Sequence, residues 1–438
     1  MKKLLLIIGM CASMNAFSQN QELIQKLELK VLKTQYDSAI IFANQIIETD
    51  SMNALAYYYS GKSYLAKYKY FEALKNYEKA NELDSANSVI ENALAGIYDF
   101  IGKDESTIQI YYNQYLRDTS KIEPIVNLAN VFRKSGEYGS AIHYYQKASA
   151  IDPENFYYYK QQAYCTNKIN LPQPAIYVYE IAIMLNPSDL GMYRQLANLQ
   201  NSERFFEDAI RTSNQGLKNF PLDNQLMKIK AYAQYLNKDF DSSIVGFNRL
   251  LELGDTTYFN LKYLGFSYFE KKQFVNSISY LEQAREFDDT DAEVCFFLGS
   301  AFGRSNSGKE GILYLHKSLG LIAPSPIQLS NIYSELAFIF RVQGKYELAL
   351  DNLKLAYKSN ASPLLSFKMG QLYDYYLDNN KMALNCYEAY LTMANTSDTL
   401  SGGNQINSFR ADPRVVENAK ERIRLLNEDM FFENIKTK

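Results

Sequence analysis

The sequence predicts an all-α protein, a solenoid of helix-turn-helix repeats closed by a C-terminal capping helix. Three observations predict it. A small residue returns every 34 positions at Ala39, Ala73, Thr107, Ala141, Ala175, Ala209, Ser243, Ser277 and Gly311. Nine consecutive matches to one period mark a repeat array. A second small position runs in step upstream of it, at Gly61, Ala95, Ala129, Ala163, Ala197, Ala231, Gly265, Gly299, Ala337 and Gly370. Small residues are needed at both positions because two helices cross closely there, and a larger side chain would push them apart. Finally, apolar residues around each position recur at helical spacing, as with Ile125, Leu128, Ala129 and Phe132, then Ala141, Tyr145 and Ala148.

Residues 1–18 are set apart as an export signal. Lys2 and Lys3 precede the short apolar run LLLIIGM, and Ala16-Phe17-Ser18 offers small residues for a cut before Gln19. The run is too short to span a bilayer. Met10 before Cys11 is not small, which disfavours lipidation of that cysteine. The formal charge of the 438-residue chain is −3. Removing Lys2 and Lys3 with the signal makes it more acidic, so no global basic field attracts nucleic acid. No later segment is apolar enough for a membrane helix. The expected location is the periplasm, with outer-membrane association or secretion as alternatives.

About eleven repeats are expected over 19–394. The clearest spans 122–155, with Gly136-Glu137 as its turn and Asp152-Pro153 as its stop. Pro187 and Pro221 repeat that stop, and Ser51 and Ser85 stand in its place earlier. An aromatic follows the leading small residue at Tyr64, Tyr98, Phe132, Tyr268, Phe302, Phe340 and Tyr373. Thr166, Gln200 and Gln234 replace it, which predicts looser packing in the fifth to seventh repeats. Ala349 falls four residues late, the insertion lying around Ala323-Pro324-Ser325-Pro326. Residues 395–411 read as a polar loop. Residues 412–438 read as a capping helix and tail, with Asp412 as N-cap, Pro413 in the first turn and an apolar face of Val415, Val416, Ala419, Ile423, Leu426 and Met430. Lys420, Glu421, Arg422 and Arg424 are expected outside.

Leu128, Ala129, Phe132, Tyr138, Ala141, Tyr145, Ala148 and Pro153 resemble a tetratricopeptide repeat (TPR), although the chain has no tryptophan. The resemblance implies a right-handed superhelix whose concave face is lined by the first helix of each pair. It also implies an interaction scaffold that binds a protein or an extended peptide segment. Carrying the family's groove positions onto this chain gives a ladder of cations at Lys160, Arg194, Lys228 and Lys262, one per repeat. Beside it stand Asn130, Tyr164, Asn198, Tyr232 and Phe266, with Asn127 and Arg133 nearby. Amides can bond a peptide backbone, cations can neutralise carboxylates, and tyrosine offers flat area with a polar tip. The expected partner is therefore a protein segment, an acidic one included, within an envelope complex. The alternative is an acidic glycan bound within outer-membrane secretion or polysaccharide-export machinery.

No catalytic, cofactor or metal site is expected. Cys165, Cys295 and Cys386 are far apart and read as small buried residues, and His143 and His316 stand alone. Asp-Ser/Thr triplets resemble the O-glycan acceptors of exported Bacteroidetes proteins, with Ser51, Ser85 and Thr256 as the candidate sites.

Overall fold

The computed structural model describes residues 21–321, 325–399 and 412–436. The export signal expected at 1–18 lies outside these residues. The described chain contains helices and turns and no strand. It divides into two compact units between Glu203 and Arg204.

The first unit holds α1 (21–32), α2 (Tyr36–Thr49), α3 (Ala54–Ala66), α4 (Tyr70–Leu83), α5 (Ser88–Phe100), α6 (Asp104–Arg117), α7 (Ile122–Lys134), α8 (Tyr138–Ile151), α9 (Phe156–Lys168), α10 (Pro172–Leu185) and α11 (Leu190–Ser202). The second holds α12 (Phe206–Asn219), α13 (Asn224–Leu236), α14 (Phe240–Glu252), α15 (Tyr258–Glu270), α16 (Phe274–Phe287), α17 (Ala292–Arg304), α18 (Gly308–Leu321), α19 (Pro326–Val342), α20 (Tyr346–Ser359), α21 (Pro363–Tyr375), α22 (Asn380–Thr399) and α23 (Pro413–Lys436). Within each unit, consecutive helices pack on one another. Odd-numbered helices lead each pair and even-numbered ones trail.

The two small positions meet at the crossings. Ala39, Ala73, Thr107, Ala141, Ala175, Ala209, Ser243, Ser277, Ala349 and Ala383 are wholly buried. A Cβ on Gly61 would come within 2.9 Å of the Tyr77 ring, and one on Gly299 within 2.9 Å of the Gly311 carbonyl. At two trailing positions a hydroxyl bonds across the crossing, whereas the buried Ser277 hydroxyl has no hydrogen-bond partner among the described residues. Ser243 donates to the Ala231 carbonyl at 3.0 Å and Thr107 to the Ala95 carbonyl at 3.4 Å. The polar atom is thereby satisfied inside a dry contact.

The turn within each pair has a backbone signature of its own. Positive φ recurs at Thr34, Tyr68, Gly102, Gly136, Asn170, Arg204, Lys238, Lys272, Asn306, Gly344 and Asp378. Within each unit, leading helices end by bonding past this residue. Lys69 N–H donates to the Tyr64 carbonyl at 2.9 Å, and Glu137 N–H to the Phe132 carbonyl at 2.8 Å. This is a left-handed helix cap closed by a six-to-one bond. Only three of these positions carry glycine, so most were silent in the sequence. Around Asp378 the closing bond runs instead from Asn379 N–H to the Tyr373 carbonyl at 2.9 Å, which absorbs the one-residue displacement before Ala383.

The four-residue insertion is absorbed inside a helix. α19 has 17 residues where α17 and α21 have 13. Of the three positions expected to pack more loosely, Gln234 shows the difference. Phe132 stacks on Tyr144, Tyr268 on Tyr280 and Phe302 on Tyr314, with centroids 5.5 to 5.6 Å apart. At the equivalent place on α13 and α14, Gln234 faces Gly246, and a cavity of about 500 Å³ opens beside them.

α23 covers the end of the second unit. Ala419 and Leu426 are buried in one cluster with Tyr387, Tyr390 and Ala394. Two details differ from expectation. α22 continues to Thr399, five residues into the stretch read as loop, and 400–411 lie outside the described residues. Arg422 turns inward: its Nε and Nη2 donate to the Asp374 carboxylate of α21 at 2.8 and 2.6 Å. Asp374 is almost wholly buried, and a buried carboxylate requires a fixed cation.

Candidate functional site

Six of the leading helices begin with side-chain caps, and α7, α15, α19 and α21 begin without one. Asn53, Asn87, Asn155, Asp189, Asp223 and Asp291 each accept a backbone N–H from the first turn of their helix. Lys160, Lys228 and Lys262 of the ladder pair with acids at or just before the start of the next leading helix. In the first unit, Lys160 Nζ donates to Asp189 at 2.5 Å. In the second, Lys228 lies 3.5 Å from Asp255, and Lys262 lies 2.7 Å from Asp291 and 2.9 Å from Glu293. Each of these cations ties one leading helix to the acidic start of the next. Arg194 and Asp223 stand at the same 29-residue spacing as the Lys160 and Lys262 pairs. Lys160, Lys228 and Lys262 are therefore inter-repeat ties within their own units as well as charges. Asp189, Asp255 and Asp291 were the residues that sequence reasoning left out, and their spacing from the cations was the available signal.

Electrostatics at Lys262 follow from the geometry. Burial opposes its charge, but hydrogen bonds to Asp291 and Glu293 outweigh burial and raise its pKa. Burial likewise opposes the Asp291 carboxylate, and Lys262 and the Tyr258 hydroxyl outweigh it and hold its pKa down. Both partners are charged at neutral pH.

On α7 the predicted amides are in use. Asn130 Oδ1 accepts from the Tyr145 hydroxyl at 2.7 Å and the Tyr157 hydroxyl at 2.9 Å. Its amide nitrogen still has two donors to offer. Asn127 and Arg133 are half-buried, and Arg133 Nε has no hydrogen-bond partner among the described residues. Tyr164 on α9 is half-buried with Lys168 over its ring, and Asn198 on α11 is exposed.

Tyr164 and Asn198 share a cavity of about 710 Å³ with Asn167, Asn170, Gln195 and Ser202. α9 and α11 supply most of this wall. Tyr179, from a trailing helix, donates to Gln195 Oε1 at 2.6 Å and so turns the Gln195 amide nitrogen free for a ligand. This amide-lined recess is a ligand-sized space that the predicted residues Tyr164 and Asn198 reach.

On the second unit, Tyr232, Tyr235 and Tyr263 form an aromatic row, with Tyr232 and Tyr263 centroids 4.6 Å apart. Phe266 does not join its surface. It is wholly buried beneath Phe297, whose ring centroid lies 4.0 Å away. Sequence position alone could not show that the next repeat would place a phenylalanine over it.

Burial pushes the Cys165 thiol up to about 11, and it raises the Cys295 and Cys386 thiols. Cys386 is half-buried, less enclosed than expected, while His143 and His316 are exposed. Among the described residues no group of His, Cys, Asp and Glu could hold a metal ion, and no helix is long and apolar enough to cross a membrane. Ser51, Ser85 and Thr256 are exposed in the turns between pairs.

Residues 123–155 match the family model for the tetratricopeptide repeat. No curated protein matches the sequence. Among solved structures, the chain is similar to the APC/C hetero-tetramer Cut9–Hcn1 at 11% identity, covering 94% of this chain and 98% of that one, with a TM-score of 0.44. It is similar to a tetratricopeptide repeat protein from Parabacteroides merdae at 14% identity, covering 57% and 98%, with a TM-score of 0.41. It is also similar to MamA at 19% identity, covering 39% and 92%, with a TM-score of 0.36.

Proposed function

We propose, from the premise that this is a tetratricopeptide-repeat scaffold, that the chain is an exported, non-catalytic interaction protein that holds a protein segment against its leading helices. The observation that carries this reading is the amide-lined recess of α9 and α11. Asn167, Asn170, Gln195 and Asn198 offer donors and acceptors in one polar space of about 710 Å³. An extended peptide presents backbone N–H and C=O groups of the same kind at regular intervals. Tyr164 adds flat contact area at low entropic cost. Asn127, Asn130, Arg133, Lys160 and Arg194 extend the proposed contact surface of the first unit. Lys228, Tyr232 and Lys262 are its proposed counterparts on the second.

The paired state of Lys160, Lys228 and Lys262 changes how such a groove would bind. Cations already tied to aspartates give modest long-range attraction, so affinity rests on amide bonds and aromatic area, with weak salt dependence. An acidic glycan would rely on the ladder instead.

The test is affinity capture from an envelope extract, using the chain from residue 19 as bait beside an Asn167→Leu, Asn198→Leu variant. A protein held by the wild type and released by the variant supports the reading. Equal capture by both, or no protein captured by either, overturns it for this face. Export is tested separately: N-terminal sequencing of the native protein is expected to begin at Gln19.

A further inference from the structure

A second recess lies far along the sequence from the amide-lined one, between α19 and α21 in the second unit. Its volume is about 330 Å³. Ser334, Phe338 and Arg341 line it from one face of α19, and Lys368, Gln371 and Tyr375 from one face of α21. Arg341 and Lys368 are solvent-accessible, and neither has a carboxylate or hydrogen-bond partner among the described residues. This sets them apart from Lys160, Lys228 and Lys262, each of which is tied to an aspartate.

The nearby carboxylate is already committed. Glu335 takes a two-point contact from Arg304, at 2.5 and 3.0 Å. Arg304 and Arg341 both lie over the Phe338 ring, at 5.1 and 5.7 Å. Three cations thus surround one neutralised acid, and the recess carries a local positive charge in an acidic chain. The surrounding protein displaces enough water to push the Lys368 ammonium below the ordinary lysine range; Glu335 opposes this shift, and Arg304 and Arg341 add to it. A bound carboxylate would relieve that repulsion.

We propose that the α19–α21 recess binds a carboxylate of an acidic peptide segment, with Arg341 and Lys368 as its cationic contacts. Gln371 and Ser334 would bond the adjoining peptide groups, and Phe338 and Tyr375 would flank the neighbouring side chain. A recess of this size fits about two residues. The inference rests on the reading that leading-helix faces hold a protein segment, and it assigns the acid-recognising contact to residues outside the predicted ladder.

The experiment measures binding of fluorescein-labelled hexaglutamate and hexaglutamine to the purified chain by anisotropy, with oligogalacturonate as a competitor. Hexaglutamate is expected to bind, and hexaglutamine at least tenfold more weakly. Arg341→Gln with Lys368→Gln is expected to weaken hexaglutamate at least tenfold, while Lys317→Gln leaves it unchanged. Lys368→Arg with Arg341→Lys is expected to retain most of the affinity. Thermal transitions establish that the variants are folded, and the single Lys368→Gln change gives the readout if the double variant is not.

Absent hexaglutamate binding, or binding equal in wild type and variant, overturns the proposal. Binding of oligogalacturonate in the recess with no binding of hexaglutamate overturns the peptide as occupant. If the envelope protein captured by the wild type is held equally by the Arg341, Lys368 variant, this subsite falls while the scaffold reading stands. Hexaglutamate bound in the recess with no envelope protein captured supports the subsite and overturns the scaffold reading.

Discussion

Lys262 shows what a single residue decides. Its ammonium is nearly enclosed, with Asp291 and Glu293 as partners. Lys262→Met removes the charge and leaves the half-enclosed Asp291 with only Tyr258 and its cap bonds. The expected cost is about 2 kcal/mol, read as a lower denaturation midpoint. The pH dependence has a definite sign. Because Asp291 has a lowered pKa in the fold, its contribution is present at neutral pH and is lost as pH falls through that lowered value. Lys262 has a raised pKa, so its contribution is full below the unfolded lysine range and is lost as pH rises through the folded value. The wild-type advantage over Lys262→Met should therefore shrink at both extremes.

Backbone conformation supplies a second test at this scale. Gly136 sits at φ +83° and Lys272 at +59°. Gly136→Ala is expected to destabilise by about 1 kcal/mol, and Lys272→Gly to stabilise by about 0.5 kcal/mol, since a side chain disfavours this region and glycine's greater unfolded-state entropy offsets part of the gain from removing it. Equal melting of both variants with the wild type would show that these caps relax elsewhere.

Between elements, the decisive contacts are the crossings and the cap. Ala141 is wholly buried. Ala141→Asp would leave an unpaired carboxylate there, at roughly 3 kcal/mol or more. A thermal transition unchanged from wild type would mean that α7 and α8 cross elsewhere. At the C-terminal end, Arg422→Ala should cost about 3 kcal/mol by leaving Asp374 buried without its guanidinium. Arg422 also lies 5.0 Å over the Tyr375 ring. Loosening of α23 should then appear as faster hydrogen exchange in α21 and α22.

For the whole molecule, repeat architecture makes stability local. Each pair contacts its neighbours, so opening need not be uniform along the chain. Amides of α13 and α14, beside the cavity at Gln234 and Gly246, should exchange faster than those of α7 and α8, where Phe132 stacks on Tyr144. Matching protection in the two pairs would count against the stack as a stabilising contact. Modification is also read on the whole chain. Exposure of Ser51, Ser85 and Thr256 is compatible with the proposed glycan sites. An intact native mass equal to the unmodified chain from residue 19 would end that proposal.

The sequence by itself determined the helix pairs, their period and the small residues at their crossings. These features are local, and Ala141 or Gly299 can be recognised because a close crossing admits almost no other side chain. It also marked the missing aromatics at Gln200 and Gln234 and the apolar face of α23. Tertiary structure decided what the polar residues do. Lys160, read as a ligand contact, reaches Asp189 because the next leading helix begins there. Arg422, read as exposed, closes on Asp374, 48 residues earlier. Phe266 disappears beneath Phe297. Arg341 and Lys368 have no carboxylate partner among the described residues, and Arg304 already occupies the nearby Glu335. A period reveals which positions are equivalent in successive repeats. Whether a charge at such a position meets an acid or water depends on the neighbouring repeat, and only packing brings the two together.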